Sequence, residues 1–253
     1  YPVILKLIPE REILDTASIE LKQLPCISLI ITAHNEESRI ERKIRNTLDL
    51  DYPESLLEII VASDFSTDNT DSIVESYCDK GVRLVRADKR RGKEYAQLCA
   101  INESRGDIIV FSDVATQIEP NALHILISYF KDPAVGAVSS EDRFISQDGA
   151  IVGEGAYVKY EMWLRRLESK RAGLVGLSGS FFAARKEVCK IWDDTVPSDF
   201  NTALNCTKLN LIAVSAPDVI GVYTDVKDPS LEYRRKTRTV IRGISAISKY
   251  PEA

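Results

Sequence analysis

Polar side chains follow three apolar, strand-like runs of this chain, and they are the groups best placed to do chemistry. They are His34, Asn35 and Glu36 after the first run, the span Asp64–Asp68 within VASDFSTDNT, and Ser112–Asp113. A carboxylate at the end of a strand can accept hydrogen bonds from the base or the ribose of a nucleotide. The same residue types also form ordinary turns and helix caps. Which of these two roles the polar residues have depends on the strands and helices around them.

Two short basic clusters add groups that suit phosphate. RADKRRGK, residues 86–93, has five basic side chains, and YRRKTR, residues 233–238, has four. A solvated charged surface is the commoner interpretation of such runs. The whole chain has 33 basic and 38 acidic residues, a formal net charge of −5. We therefore expect no general nucleic-acid binding, because proteins with that function are usually basic.

Cysteine and histidine usage excludes several kinds of site. The five cysteines, at positions 26, 78, 99, 189 and 206, are odd in number and form no CxxC pair, and there are only two histidines. A disulfide framework, a zinc site or a His-rich metal site is therefore not expected, and reduced cysteines favour a cytoplasmic location. No apolar run approaches the roughly 20 residues that cross a bilayer. Because the sequence begins at Tyr1 rather than Met, membrane helices beyond it are left open.

Strand-like and helix-like segments alternate through the first half of the chain. Strands are predicted at residues 27–33, 57–63, 82–87 and 107–113, and helices at residues 36–50, 67–78, 92–104 and 120–130. The first helix has Ile40, Ile44 and Leu48 spaced four apart, which is a helical stripe. Asp68 is expected to cap the second helix. This alternation predicts an α/β fold with a mainly parallel central sheet flanked by helices, and it puts a ligand at the carboxyl ends of the strands.

After about Val138 the alternation weakens. Helices are predicted at residues 153–171, from Ser198 onward, and across the basic residues 231–250. GLSGS, residues 176–180, is a glycine–serine turn before an apolar run. Trp163 and Trp192 are expected to pack in the core rather than to stack on a ligand. We expect this second half to extend the same sheet and to supply the other wall of the cleft.

Taken in order, these segments resemble the family 2 glycosyltransferases, which have the nucleotide-sugar-binding GT-A fold. ISLIITAHNEE is similar to the opening strand of that family, and VASDFSTDNT to its DD-x-S-x-D-x-T segment. RRGKEYAQLCAINESRGDIIVFSD is similar to the Gly-Lys helix and the strand that leads into the DxD motif. GLSGSFFAARKEV, PSDF and RRKTRTVIRG stand where the family has its Ser-Gly turn, its ED or DD pair and its QxxRW motif. The resemblance runs from Ile27 to Gly243.

The resemblance implies a domain organisation. Residues 1–26 would be an N-terminal extension, and residues 27–253 a single GT-A, Rossmann-like domain with a mixed, mainly parallel sheet. Within that domain, about residues 27–138 would bind the nucleotide sugar and about residues 139–253 the acceptor.

The resemblance also implies a donor site. Its residues would be Asn35, Glu36, Asp64, Lys93, Asp113 and Arg238. Asp64 would contact the base, while Lys93 and Arg238 would meet the diphosphate. Asp113 would hold Mg²⁺ or Mn²⁺, a hard cation that offsets the charge of the leaving diphosphate. The second aspartate of DxD is replaced by Ala115, so a metal would have one carboxylate ligand.

On the acceptor side, the matching aspartate is Asp199. The resemblance implies that it is the general base of an inverting transfer to a hydroxyl, with Gly179 and Ser180 shaping the acceptor wall. Asp142, Asp193 and Asp194 are rivals for the base that the sequence does not exclude.

The predicted activity is a hexosyltransferase-like glycosyltransferase that uses a nucleotide diphosphate sugar. A UDP-sugar is favoured, with guanine and thymine bases left open, and the acceptor is expected to be a glycan or a lipid-linked molecule at the cytoplasmic face of a membrane. Thr239 replaces the tryptophan of QxxRW, which favours adding a single sugar over processive synthesis. Two alternatives remain: a nucleotidyltransferase, although ITAHNEESR lacks the glycines of that class, and a degenerate module that binds nucleotide without turnover.

Overall fold

The computed structural model describes residues 2–11, 23–145, 151–152 and 156–224. The strands in these ranges are β1 (Ile27–Ala33), β2 (Leu57–Ser63), β3 (Val82–Arg86), β4 (Ile108–Asp113), β5 (Gln117–Ile118), β6 (Val135–Ile145), β7 (Ile151–Val152), β8 (Phe181–Arg185) and β9 (Ile212–Thr224). The helices are α1 (Pro2–Leu7), α2 (Ile40–Leu48), α3 (Thr70–Glu75), α4 (Lys93–Glu103), α5 (Ala122–Ser128), α6 (Ala156–Arg171), α7 (Lys186–Cys189) and α8 (Ser198–Lys208).

One mixed sheet runs through the described part of the chain. Its strand order is β3-β2-β1-β4-β8-β6-β9-β5, with β7 paired to β6. Strands β1 to β4 are parallel to one another, and in this register Thr32 of β1 lies beside both Ala62 and Asp113. Because parallel strands end at the same edge, the polar residues that follow β1, β2 and β4 come together there. The predicted α/β fold with a mainly parallel sheet is confirmed.

The second half of the chain continues this sheet with a reversed strand. β8 is antiparallel to both β4 and β6, whereas β6 and β9 are parallel. Ser112 pairs with Phe181, so the turn before β8 lies next to the end of β4. This pairing carries Gly179 and Ser180 to the same edge as Asp113.

Apolar residues cover both faces of the sheet. Leu29 and Val61 face a cluster with α2 and α5, while Ile30 and Ile60 face one with α4 and α8. This alternation follows from the two-residue period of a strand buried on both sides.

The two tryptophans have different surroundings. Trp192 stacks on Phe111, with ring centroids 5.2 Å apart, and packs against the cluster on the α4 face. Core packing therefore describes Trp192 well. Trp163 is 41% exposed and lies beside Tyr160 and Lys6, so the core position expected for it is wrong.

Helices α2 and α3 begin later than predicted. Residues 36–39 form a turn, closed by bonds to the Glu36 carbonyl, so α2 begins at Ile40 rather than at residue 36. α3 has only six residues. α8 begins at Ser198, as predicted, with Pro197 at the cap position.

The part of the predicted N-terminal extension that the structure describes packs on the second half. The Arg11 amide donates to the Lys170 carbonyl at 2.9 Å, and the Arg171 guanidinium donates to the carbonyls of Lys6 and Ile8. Among the described residues, no helix combines the length and the apolar character needed to cross a membrane. The predicted basic helix at 231–250, with Arg238 and Thr239, lies outside the described residues.

Candidate functional site

A cleft of about 250 Å³ opens at the carboxyl ends of β1, β2 and β4. It lies where the strand pattern placed a ligand. Its lining residues are Thr32, Ala33, His34, Glu36, Asp64, Lys93, Asp113, Val114 and Ala115. The lining thus combines three carboxylates, one ammonium group and several small residues, a composition that suits a polar ligand carrying negative charge next to the lysine.

Asp64 joins the cleft to the start of α4. Its Oδ1 accepts from the Arg91 and Gly92 amides at 3.0 Å, and its Oδ2 accepts from the Gly92 amide at 3.0 Å. The backbone at Gly92 has φ 104°, which is costly for a residue with a side chain. His34 donates from Nδ1 to the Asp64 carbonyl at 2.8 Å. Asp64 therefore orders the loop before α4 while lining the cleft, so the turn and ligand interpretations are compatible.

Lys93 connects the two halves of the site. Its ammonium donates to Asp113 Oδ1 and to the Gly179 carbonyl, each at 2.6 Å. The side chains of Lys93 and Asp113 are 29% and 37% exposed, so solvent and a ligand can both reach the pair. The Lys93 ammonium thus lies at the cleft, held between β4 and the turn before β8.

Asp199 lies in the first turn of α8, beside this pair. Its Oδ1 accepts from the Phe200 amide at 2.9 Å, and a Cβ placed on Gly179 would lie 3.3 Å from its Oδ2. Burial raises the pKa of Asp199, although the Phe200 amide and the Lys93 charge act in the opposite direction. A carboxylate with a raised pKa is a better proton acceptor than an exposed aspartate.

Asn35 and Glu36 support the cleft differently. Asn35, at φ 53°, is exposed and accepts from the Thr67 amide at 2.8 Å through Oδ1, which ties two loops together outside the lining. Glu36 does line the cleft, and its carboxylate forms an ion pair with Arg39. Asp68 accepts from the amides of Thr70 at 3.0 Å and Glu37 at 3.1 Å. Asn69 is at the N-cap of α3, so Asp68 bonds the start of this helix from one residue before the cap.

The remaining candidates occupy varied positions. The Ser180 carbonyl accepts from the Asp113 amide at 2.9 Å, and its hydroxyl is paired with that of Ser178. Among the rivals of Asp199, Asp193 accepts from the Thr195 amide, and Asp194 forms an ion pair with Arg91. The Asp142 side chain and the whole of Arg238 lie outside the described residues.

Sequence reasoning missed two side chains at this site. Thr32 lines the cleft, and its hydroxyl is buried without a hydrogen-bond partner in the described part of the chain. Lys43 is fully buried below the end of β4. The signal for Lys43 was present, because it shares a helix face with Ile40, Ile44 and Thr47, all of them buried.

The donor set for a metal at this site is small. Among the described residues, no group of three or more His, Cys, Asp or Glu side chains could hold an ion. Asp113 is the carboxylate at the end of β4, and Ala115 contributes no ligand atom. One carboxylate fits an ion that takes its other ligands from a diphosphate and water, as Mg²⁺ commonly does.

Comparison with solved structures defines the class of this protein. Mannosyltransferase PcManGT from Pyrobaculum calidifontis, in complex with GDP-Man and Mn²⁺, matches with a TM-score of 0.80 and 24% identity, over 98% of this chain and 70% of that one. S. aureus TarS in complex with UDP matches with a TM-score of 0.58 and 17% identity, over 79% of this chain and 60% of that one. These likenesses show the GT-A fold.

The family follows from the sequence comparison. The model of glycosyl transferase family 2 matches residues 28–192, and the chain belongs to this family, as its motifs predicted. Probable glycosyltransferase YdaM of Bacillus subtilis is 28% identical over 203 residues, 76% of this chain and 48% of the relative. Poly-beta-1,6-N-acetyl-D-glucosamine synthase of Staphylococcus epidermidis is 28% identical over 189 residues, 71% of this chain and 45% of the relative. The chain spans about half the length of these curated relatives.

Proposed function

We propose that this chain is the catalytic part of an inverting glycosyltransferase that takes a sugar from a nucleotide diphosphate donor. One observation carries the proposal: Asp64 and Asp113 both bond the segment Gly92–Lys93, and Asp199 lies close enough to feel the Lys93 charge. Asp64 accepts from the Gly92 amide, Asp113 accepts from the Lys93 ammonium, and Asp199 lies against the glycine whose carbonyl also accepts from Lys93. Asp64 and Asp113 line the cleft, whereas Asp199 lies next to Gly179, outside the lining.

The donor would lie along the edge of the sheet, with its base at β1 and β2 and its diphosphate at Lys93. A carboxylate has about four acceptor positions, so Asp64 can accept from the N–H of a base while retaining its backbone bonds. A UDP-sugar is our preferred donor. The neighbours named above were solved with GDP-Man and with UDP, so both bases belong in the test.

Asp113 would hold Mg²⁺ or Mn²⁺ together with oxygens of the diphosphate. Such an ion, when bound, neutralises charge on the departing diphosphate. The chain contributes the rest of the positive charge through Lys93, which lies 2.6 Å from Asp113 Oδ1. Arg238, outside the described residues, is the family's matching position for a further phosphate contact.

Asp199 would act as the general base. The acceptor hydroxyl attacks the anomeric carbon from the side opposite the diphosphate, so a carbon–oxygen bond forms while the bond to the diphosphate breaks, and the configuration inverts. The proton of the hydroxyl passes to Asp199, and the negative charge leaves with the nucleoside diphosphate. Because Gly179 has no side chain, no Cβ crowds Oδ2 of Asp199; an added one would lie 3.3 Å from it. Removal of this proton contributes about 10²- to 10⁴-fold to such reactions.

The acceptor would be a glycan or a lipid-linked molecule, reached from the cytoplasmic face of a membrane. The relative from Staphylococcus epidermidis is named as a polysaccharide synthase, which supports a glycan acceptor. Cell fractionation of the full-length protein tests the location: recovery in the soluble fraction, with no apolar segment outside this sequence, would contradict membrane association.

The proposal is tested with the purified chain. Thermal shift with UDP, GDP and dTDP, each with and without Mn²⁺, reports the base preference and the need for metal. Release of nucleoside diphosphate from a donor sugar is expected, and Asp113→Ala should abolish it. The ion pair of Asp113 with Lys93 and the missing second carboxylate also favour a second candidate, a nucleotide-binding module without turnover. Tight binding with no release from any donor would support that module and overturn the enzyme.

A further inference from the structure

Lys43 is a buried charged residue that the proposed mechanism does not use. It lies on α2, has no exposed surface, and packs on a face shared with Ile40 and Ile44. Its Nζ donates to the Ser112 hydroxyl and to the Thr116 carbonyl, each at 2.7 Å. A single side chain from the helix layer therefore contacts the sheet on both sides of Asp113.

The segment held in this way, residues 112–116, is the end of β4 and the turn after it. The Thr116 amide donates to the Asp113 carbonyl at 3.1 Å, which closes the turn, and the Asp113 amide donates to the Ser180 carbonyl at 2.9 Å. Val114 and Ala115, between the two partners of Lys43, line the cleft. Lys43 thus bridges the two ends of the turn from below, while the Asp113 side chain is paired with Lys93 above.

A lysine is a costly residue at such a position. Burial lowers the pKa of Lys43 to about 7, and only the nearby Asp113 acts in the opposite direction. Apolar residues of similar volume commonly give equal or better stability in place of a buried charge. Stability of the fold therefore does not explain a lysine at this position. Its two directed hydrogen bonds do, because they fix the geometry of the turn.

We propose that Lys43 is a positioning residue of the donor site, which fixes the direction of the Asp113 carboxylate by bonding both ends of the 112–116 turn. It acts through Asp113 and touches neither donor nor acceptor. The inference rests on the proposed function, since it assigns Asp113 to the diphosphate end of the donor. Residues that hold a ligand-binding side chain in place commonly contribute about 10- to 100-fold to affinity or activity.

Two readouts on Lys43→Met test this. Hydrogen exchange followed by mass spectrometry on peptides that cover residues 112–118 reports whether the turn loosens. Calorimetric titration with UDP and GDP in the presence of Mn²⁺ reports the dissociation constant. Thr47→Val is the matched control, because Thr47 lies one turn further along the same buried face and its hydroxyl bonds only within α2, to the Lys43 carbonyl at 2.9 Å.

For Lys43→Met we expect faster exchange in residues 112–118 and a Kd for nucleoside diphosphate raised about 10-fold. Thr47→Val should leave both unchanged, even where it lowers the melting temperature. In an Asp113→Asn background, Lys43→Met should raise the Kd little further, because the residue it positions has already lost its charge. A lower melting temperature with unchanged exchange and unchanged Kd would make Lys43 merely structural and overturn the inference.

A second variant decides the matter if Lys43→Met does not fold. Ser112→Ala removes one of the two acceptors of Lys43 and should raise both the exchange and the Kd, by less than Lys43→Met would. No change in either would contradict the inference. Failure of the wild-type chain to bind any nucleoside diphosphate would instead overturn the proposed function. The exchange measurement would still report whether Lys43 holds the turn in place.

Discussion

At the scale of single residues, several side chains at this site have a structural and a chemical task at once. Asp64 organises the loop before α4 through three contacts with backbone amides and also lines the cleft. Lys93 bonds the turn before β8 and presents its charge to the cleft. Because these hydrogen bonds already hold the side chains in one orientation, less conformational entropy is lost when a ligand binds.

Asp199→Asn tests whether the Asp199 carboxylate is needed for sugar transfer rather than for folding or nucleotide binding. We expect the transfer rate to fall about 10²- to 10⁴-fold, because the amide cannot accept the acceptor's proton, while the Kd for nucleoside diphosphate is retained. The wild-type rate should fall on the acid side at a pH above the usual range of an exposed aspartate, since burial raises the Asp199 pKa. Steady-state rates across pH, with titration of UDP as the binding control, measure both.

The same pKa has a consequence for stability. A carboxyl whose pKa is raised by folding binds its proton more tightly in the folded state, so its ionisation destabilises the fold as pH rises above the ordinary value. Asp199→Asn removes that ionisation, and its melting temperature at pH 7 should equal or exceed that of the wild type. A variant that melts well below the wild type at pH 7, or that keeps full activity, would contradict the assignment of Asp199.

At the scale of elements, the turn before β8 brings the second half of the chain into contact with Lys93 and Asp113. β8 runs antiparallel to β4, so its preceding turn reaches the carboxyl end of β4. There the Gly179 carbonyl accepts from Lys93, and its missing side chain leaves room for Asp199. The turn therefore sets the distance between Asp199 and the ion pair of Lys93 with Asp113.

Gly179→Ala tests this turn. The added Cβ would lie 3.3 Å from Asp199 Oδ2 and 3.6 Å from its Cγ, so the carboxylate must shift. The carboxylate has to give by a few tenths of an ångström, less than the displacement of about 1 Å that can cost about 100-fold, so we expect a moderate fall in kcat with little change in the Kd for UDP. Gly176→Ala is the matched control, since its Cβ would meet nothing within 4 Å. Equal activity of the two variants would contradict the role given to the turn.

At the scale of the whole molecule, a single sheet joins the first and second halves of the described chain through β4, β8 and β6. The core on the α4 face crosses this junction: Phe111 of β4 stacks on Phe182 of β8, with centroids 4.7 Å apart, and on Trp192 beyond it. Packing of this kind makes the cleft a property of the whole fold rather than of one half.

Gly106→Ala tests the packing at the opposite end of the parallel strands. A Cβ there would lie 2.4 Å from the Ser28 backbone nitrogen and 2.6 Å from the Ile27 carbonyl carbon, so backbone must move. Overpacking of this type costs about 1–3 kcal/mol, occasionally more, and chemical denaturation should show a loss of this size. Gly176→Ala again serves as the control with an open environment. A Gly106→Ala variant as stable as the wild type would contradict the close approach of these strands.

Much of this architecture could be predicted from local patterns. β1 and β2 occur at the predicted residues, because strands buried on both faces read as uninterrupted apolar runs between polar ends. The start of α2 was predicted too early, since the span 36–39 closes as a turn through hydrogen bonds that helical spacing does not reveal. The burial of Lys43 was missed because a lysine in a helix is normally solvated.

The sequence by itself determined the α/β alternation, the family motifs and the edge of the sheet at which polar residues gather, because each of these depends on spacing along a few neighbouring residues. Only the tertiary structure decided which groups meet. The ion pair of Lys93 with Asp113, the contact of Gly179 with Asp199 and the bonds of Lys43 to both ends of a turn join residues 20 to 73 positions apart. Such contacts depend on strand order and on the reversal at β8, which local spacing does not encode.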